Sequence, residues 1–253
     1  MRFGLFIIGA EILSGKRQDK HLPKVIQLLA ARGLSLSWAQ VLGDDQTQIS
    51  EGIRASQLRG DIVLSCGGIG ATPDDKTRQA AAQAFELSLL RHREAEQLIL
   101  DQYGEKAVPN RVLMADFPQG AGLIPNPVNR VAGFFVENHN FVPGFPEMAW
   151  PMLEWVLDTR YAALHNLNPM VEFSLRALGT SAEGDLLHLM EGVLAEFPGL
   201  EFSSLPSRGD ATRPRHIEFG FKGQAKLAAN AYRWFQERIL KEPGVTIEAI
   251  RAP

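Results

Sequence analysis

Three glycines within four positions, Gly67, Gly68 and Gly70, followed by Thr72, Pro73, Asp74, Asp75 and Thr77, make up the stretch of this sequence best suited to chemistry. Glycines in such a run permit positive φ and close approach of the backbone to a ligand. Successive backbone N–H groups in a turn of this kind form an anion-binding nest, and a helix that follows adds its positive N-terminal end. Two adjacent carboxylates beside the nest repel a phosphate unless a divalent cation such as Mg²⁺ lies between them. Asp74 and Asp75 are therefore candidate metal ligands and candidate catalytic residues. The plainer role for either is as N-cap of the following helix.

The second element runs from Gly9 through Glu11 and Gly15 to Asp19 and His21. It is not a Walker A loop: five residues separate Gly9 from Gly15, and Arg17 follows Lys16 where Ser or Thr is needed for Mg²⁺. Nor does Gly68 to Pro73 complete a G-x-G-x-x-G fingerprint, which excludes a standard dinucleotide site. Gly9, Glu11 and Asp19 remain as ligand-binding candidates, with Glu11 also a candidate to orient water or a ribose hydroxyl. Cys66 reads as a small buried thiol rather than a nucleophile. The six histidines show no metal-ligand spacing.

The elements that must position these loops follow from periodicity. Phe3–Ile8 is a continuous apolar run, the pattern of a strand buried on both faces of a parallel sheet. A helix from Leu22 to Arg32 closes at Gly33, a second strand covers 34–42, and Gly43, Asp44 and Asp45 turn into a helix through Leu58. Residues 61–65 form the third strand, and 76–85 a helix. This β-α-β-α-β-α alternation calls for a parallel sheet with helices on both faces, and ligands then lie beyond the carboxyl ends of the strands. With strands two and three flanking strand one, the two glycine loops share one edge.

Farther on, 91–103 reads as a charged helix. Two short strands fall near Gly133–Val136 and Asn140–Val142, and a sharp turn at 143–146 leads into a helix from Glu147 to about Arg160. After a linker at 165–169, a β-α-β-β-α order indicates a separate small α+β module, its first helix opening on a capping box at Thr180–Glu183. The expected domains are 1–165 and 168–253.

The motifs Gly9-x-Glu11-Ile-Leu-Ser-Gly15, Gly67-Gly-Ile-Gly-Ala-Thr-Pro-Asp-Asp75-x-Thr77 and Pro143-Gly144-Phe-Pro-Glu-Met148 resemble the molybdenum-cofactor-biosynthesis (molybdopterin-binding) domain, in the form found in competence/damage-inducible protein A (CinA). Asn126, ahead of Gly133, is similar to that family's asparagine before the Pro-Gly-x-Pro turn. The resemblance covers about 1–165, and more weakly 168–253. It implies a three-layer α/β/α fold with a mostly parallel sheet, plus a small C-terminal α+β module. It implies a ligand lying across both glycine loops, with Asp74 and Asp75 at a metal. It further implies hydrolysis of the pyrophosphate of ADP-ribose-like nucleotides, or binding or adenylylation of molybdopterin. Two departures stand out: Ala10 replaces the family's aspartate, and His21 falls where an amide is usual, although Asp19 matches.

Composition narrows the partners. A net charge of −3 provides no basic field for nucleic acid or anionic lipid. Arg208, Arg213 and Arg215 read as a solvated face. One cysteine fits a reducing cytoplasm, and the apolar runs are too short to span a membrane. The expectation is a small-molecule nucleotide or pterin ligand, a divalent cofactor (Mg²⁺, Mn²⁺ or Co²⁺), and a homo-oligomer.

Overall fold

Every residue of Phe3–Ile8 (β1) is buried, because the strand lies between two parallel neighbours and under helices on both faces. The computed structural model describes residues 2–166, 170–179, 183–210 and 214–253. It divides into Met1–His165 and Asn166–Pro253. In the first unit β1 is followed by a single turn, Ala10–Leu13 (α1), and by His21–Ala30 (α2). Leu36–Leu42 (β2), Gln46–Leu58 (α3), Ile62–Cys66 (β3) and Thr77–Ala84 (α4) complete the alternation expected from the sequence. Leu89–Arg91 (β4), Arg93–Tyr103 (α5), Asp116–Pro118 (β5), Gly122–Ile124 (β6), Gly133–Val136 (β7), His139–Val142 (β8) and Pro146–Trp155 (α6) follow.

The main sheet has the order β2-β1-β3-β8-β7-β6, parallel from β2 to β8, with β7 antiparallel to both of its neighbours. Alternate side chains of β1 feed two cores. Phe6 and Ile8 pack with Ile49, Ile53, Ala80 and Phe141 on one face, and Leu5 and Ile7 with Val25, Leu29 and Leu153 on the other. Each fully buried Val, Leu, Ile or Phe side chain among these is worth about 1.5–3 kcal/mol. The result is a three-layer α/β/α unit.

Local signals set the element ends. Gly33, at φ +68°, closes α2 with a bond from its own amide to Ala30 and one from Leu34 to Leu29, a Schellman arrangement. Asp45 caps α3 by accepting from the Gln48 amide at 2.8 Å. Three short strands differ from expectation. β6 adds a third member to the two strands foreseen within 122–142, and β4 pairs with β5 across more than 20 intervening residues. Three-residue strands are too short to show an alternation. α6 opens into a wider turn over Val156–Arg160, extending it to the end foreseen.

In the second unit Val171–Leu178 (β9), Leu187–Glu196 (α7), Glu201–Ser207 (β10), His216–Gly223 (β11), Ala225–Ile239 (α8) and Thr246–Arg251 (β12) give a β-α-β-β-α-β order. The four strands form an antiparallel sheet, β10-β11-β9-β12. The helices cover one face, where Leu175, Phe219, Phe221, Tyr232 and Phe235 meet. β12 was not foreseen: it is an edge strand, exposed at every residue but the partly covered Ile247. Thr180 to Ala182 of the expected capping box, Leu167 to Pro169 of the linker, and Arg213 lie outside the described residues.

Candidate functional site

The loops leaving β2, β1, β3 and β8 share one edge of the sheet, because these four strands are parallel and adjacent. Ile7 is level with Cys66, and Cys66 with Val142. A cleft of about 460 Å³ lies beyond these carboxyl ends. Gly9, Glu11, Gly67, Gly68, Gly70, Thr72, Asp74, Asp75, Asn126 and Gly144 all line it.

Gly67 and Gly68 are sterically required, while a Cβ at Gly70 would displace the Asp75 carboxylate. Gly67 has φ +109°, and a Cβ there would lie 2.1 Å from the Ile8 carbonyl oxygen. A Cβ on Gly68, at φ +69°, would lie 2.2 Å from Thr77 Oγ1, and one on Gly70 2.4 Å from Asp75 Oδ2. The loop is braced from beneath. Thr77 donates its hydroxyl to the Gly67 carbonyl at 2.9 Å and its amide to the Gly68 carbonyl at 3.0 Å. Thr77 is thus a buried support, not a lining residue. The buried Arg78 guanidinium donates to the carbonyls of Gly70 (2.7 Å), Asp116 (3.2 Å) and Leu113. Burial holds its pKa below the ordinary arginine value.

Neither aspartate caps α4, whose preceding residue is Lys76 and which has no side-chain cap. Asp75 Oδ2 accepts from the Thr72 amide at 2.9 Å and from the Thr72 hydroxyl, closing the loop on itself. Asp74 is exposed. Its carboxyl is held below the usual range by the nearby Thr72 hydroxyl first, then by its own backbone amide and by Lys76. Among the described residues no group of three or more His, Cys, Asp or Glu side chains is arranged to hold a metal. A cation carried by Asp74 and Asp75 would complete its shell with phosphate and water oxygens, as Mg²⁺ commonly does.

Asp19 lies outside the cleft lining. Its two oxygens accept from the amides of His21 (2.8 Å) and Leu22 (2.9 Å), so it caps α2. His21, buried, reaches the Gly144 carbonyl with Nε2 at 3.0 Å and ties α2 to the turn after β8. Pro73 is exposed and also outside the lining. Asn126 is buried and saturated: Nδ2 donates to Asn129 Oδ1 and the Val131 carbonyl, and Oδ1 accepts from the Val128 amide. It shapes the wall of the cleft. Cys66 is buried, and burial pushes its thiol pKa up, which keeps it unreactive.

Residues 4–163 match the family described as "Probable molybdopterin binding domain". The chain belongs to this family. Over 210 residues it is 28% identical to a CinA-like protein of Syntrophotalea carbinolica, covering 80% of this chain and 51% of that protein. Over 169 residues it is 31% identical to a protein named as competence-damage inducible in Lacticaseibacillus casei, covering 64% of this chain and 41% of that one. The chain therefore spans about half or less of the length of these relatives. A crystal structure of the protein CinA from Thermoplasma acidophilum matches 62% of this chain and 96% of its own, at 27% identity and a TM-score of 0.57.

Several lining residues of this family member were not singled out from sequence. Among the described residues lining the cleft, Arg17 is the one cationic side chain, against the carboxylates of Glu11, Asp44, Asp74 and Asp75. Asp44 follows the end of β2, so the rule that pointed to the exits of strands one and three, applied to strand two, would have found it. Tyr103, Met114, Phe145 and Met148 add apolar and aromatic surface. Tyr103 and Met114 lie far along the chain from either glycine loop and carry no local signal. No helix among the described residues is long and apolar enough to cross a membrane.

Proposed function

We propose that the cleft binds a phosphate-bearing nucleotide or pterin together with a divalent cation, and hydrolyses the pyrophosphate of ADP-ribose-like nucleotides. One observation carries this reading: four carboxylates and a single guanidinium surround a glycine nest suited to an anion. That balance repels a phosphate unless a cation enters with it. The nest would hold one phosphate, and Asp74 and Asp75 would hold the cation, which would supply charge neutralisation and water activation. Glu11, half-buried in the cleft, orients water or a hydroxyl. Tyr103, Phe145 and the two methionines offer a surface for a planar ring.

A second reading, a non-catalytic molybdopterin or nucleotide binder, is favoured by Ala10, which has no carboxylate, and by the engagement of Asp75 with Thr72. The domain's family description is consistent with it. Adenylyl transfer in cofactor assembly would use the same cleft. Incubation with ADP-ribose and Mg²⁺, Mn²⁺ or Co²⁺ separates the readings: hydrolysis gives AMP and ribose 5-phosphate. Tight binding with no product from any cation would replace the hydrolase with the binder.

A further inference from the structure

Asp44 and Asp45 follow β2 together, yet only one is needed by the helix they precede. Asp45 caps α3. Asp44 turns instead toward the cleft, where its Oδ2 accepts from the Ala10 amide at 2.9 Å. With the bond from the Gly9 amide to the Leu42 carbonyl at 3.0 Å, this stitches the exit of β2 to the exit of β1. Among the described residues no donor takes Asp44 Oδ1, so one carboxylate oxygen of a fixed side chain is left for a ligand. It also places an acid over Ala10, where the chain itself has none.

The position of this acid carries the argument. β1 lies between β2 and β3, so the acid and the glycine nest stand on opposite sides of the first strand's exit. Two strand spacings, about 10 Å, separate those exits. That span is of the order of the reach from the far phosphate of a nucleoside diphosphate to its ribose hydroxyls. In doubly wound nucleotide-binding sheets, an acid placed after the neighbouring strand accepts a ribose hydroxyl. Here the fingerprint differs and the acid stands two strands from the glycine loop instead of one, so the matching span and the shared edge carry the comparison.

Resting on the reading that the cleft takes a phosphate-bearing ligand, we infer that Asp44 is a specificity-determining residue that accepts the vicinal hydroxyls of a ribose. The cleft thereby selects ribonucleoside diphosphates over ligands that lack the diol. A hydrogen bond to a charged acceptor discriminates by about tenfold or more.

The test is titration calorimetry with ADP and 2′,3′-dideoxy-ADP, each with Mg²⁺, on the parent chain and on Asp44→Asn. Asparagine can still accept from the Ala10 amide through its carbonyl oxygen, and it exchanges the outward oxygen for an amide donor. The expected result is at least a tenfold preference for ADP in the parent that falls to near unity in Asp44→Asn. A purely structural latch would weaken both ligands alike and leave the ratio unchanged, which overturns the assignment. Equal binding of the two ligands by the parent also overturns it while leaving the broader reading intact. If neither ADP nor ADP-ribose binds the parent, the proposed function falls and this inference with it.

Discussion

Replacing Gly67 by alanine tests whether the nest is built by sterics, as its geometry requires. The new Cβ would lie 2.1 Å from the Ile8 carbonyl oxygen, more than 1 Å inside ordinary contact. The Ile8 backbone is paired with Leu42 of β2 and the Gly67 amide donates to the Val142 carbonyl at 3.0 Å, so neither can retreat without breaking strand pairing. The φ of +109° costs an L-residue about 1–2 kcal/mol. Overpacking adds about 1–3 kcal/mol, and the stiffer unfolded chain returns about 0.4–1 kcal/mol. The net loss is roughly 1–4.6 kcal/mol, about 3 kcal/mol at the centre of these ranges. Gly15→Ala is the control, because Gly15 has φ +71° with no heavy atom within 4 Å of its Cβ position. That variant should lose no more than about 1.6 kcal/mol, about 0.8 kcal/mol at the centre of these ranges. Guanidinium denaturation followed by the fluorescence of Trp38, Trp150 and Trp155, in a Trp234→Phe background, reads the first unit. Stabilities of Gly67→Ala and Gly15→Ala within about 0.5 kcal/mol of each other would refute the steric account.

Three further outcomes are expected. Asp75→Asn keeps an oxygen for the Thr72 amide, so its Tm should stay within a few degrees of the parent while cation-dependent ligand affinity falls at least about tenfold; a large drop in Tm with normal binding would make Asp75 a purely structural residue. Ala10→Asp should raise the rate of ADP-ribose hydrolysis, measured by product release, if the chain is a hydrolase, and change only affinity or metal preference if it is a binder. His139 is buried against Ser56, and burial lowers its pKa from 6.5 to about 4. The unfolded chain therefore takes up a proton before the folded one does, and stability present above pH 6.5 is lost as pH falls toward 4, by roughly 3 kcal/mol in all. Urea titrations between pH 7 and 4 should show this slope, reduced in His139→Gln; identical slopes would remove His139 as the cause.

The parts of the fold that could be read from sequence were those in which a local pattern and the tertiary role coincide. β1 is apolar throughout because it is buried on both sides, and the glycines at 67 and 68 are where Ile8 and Thr77 leave no room for a Cβ. That the loops after β1 and β3 meet followed from the alternation of elements once strands two and three were placed on either side of strand one, the order observed. β12 could not be read, because a short edge strand that covers only part of Ile247 leaves no buried face to pattern its sequence, and the β4–β5 pair joins segments too short and too far apart in sequence for any periodicity. Within the cleft, Asp44 was hidden behind a plausible turn. Asp19 and Thr77 turned out to act on the backbone: one caps α2, the other props the glycine loop. Side chains such as Tyr103 and Met114 enter the cleft through folding over long sequence distances, which spacing does not encode.

The central claim is that an acidic cleft takes its phosphate ligand only together with a cation. Titration of the parent chain with ADP-ribose, once with excess EDTA and once with Mg²⁺ or Mn²⁺, tests it most directly. The account predicts an affinity at least about tenfold higher with the cation, since each carboxylate left facing a phosphate costs binding energy. Equal affinity with and without the cation would contradict it.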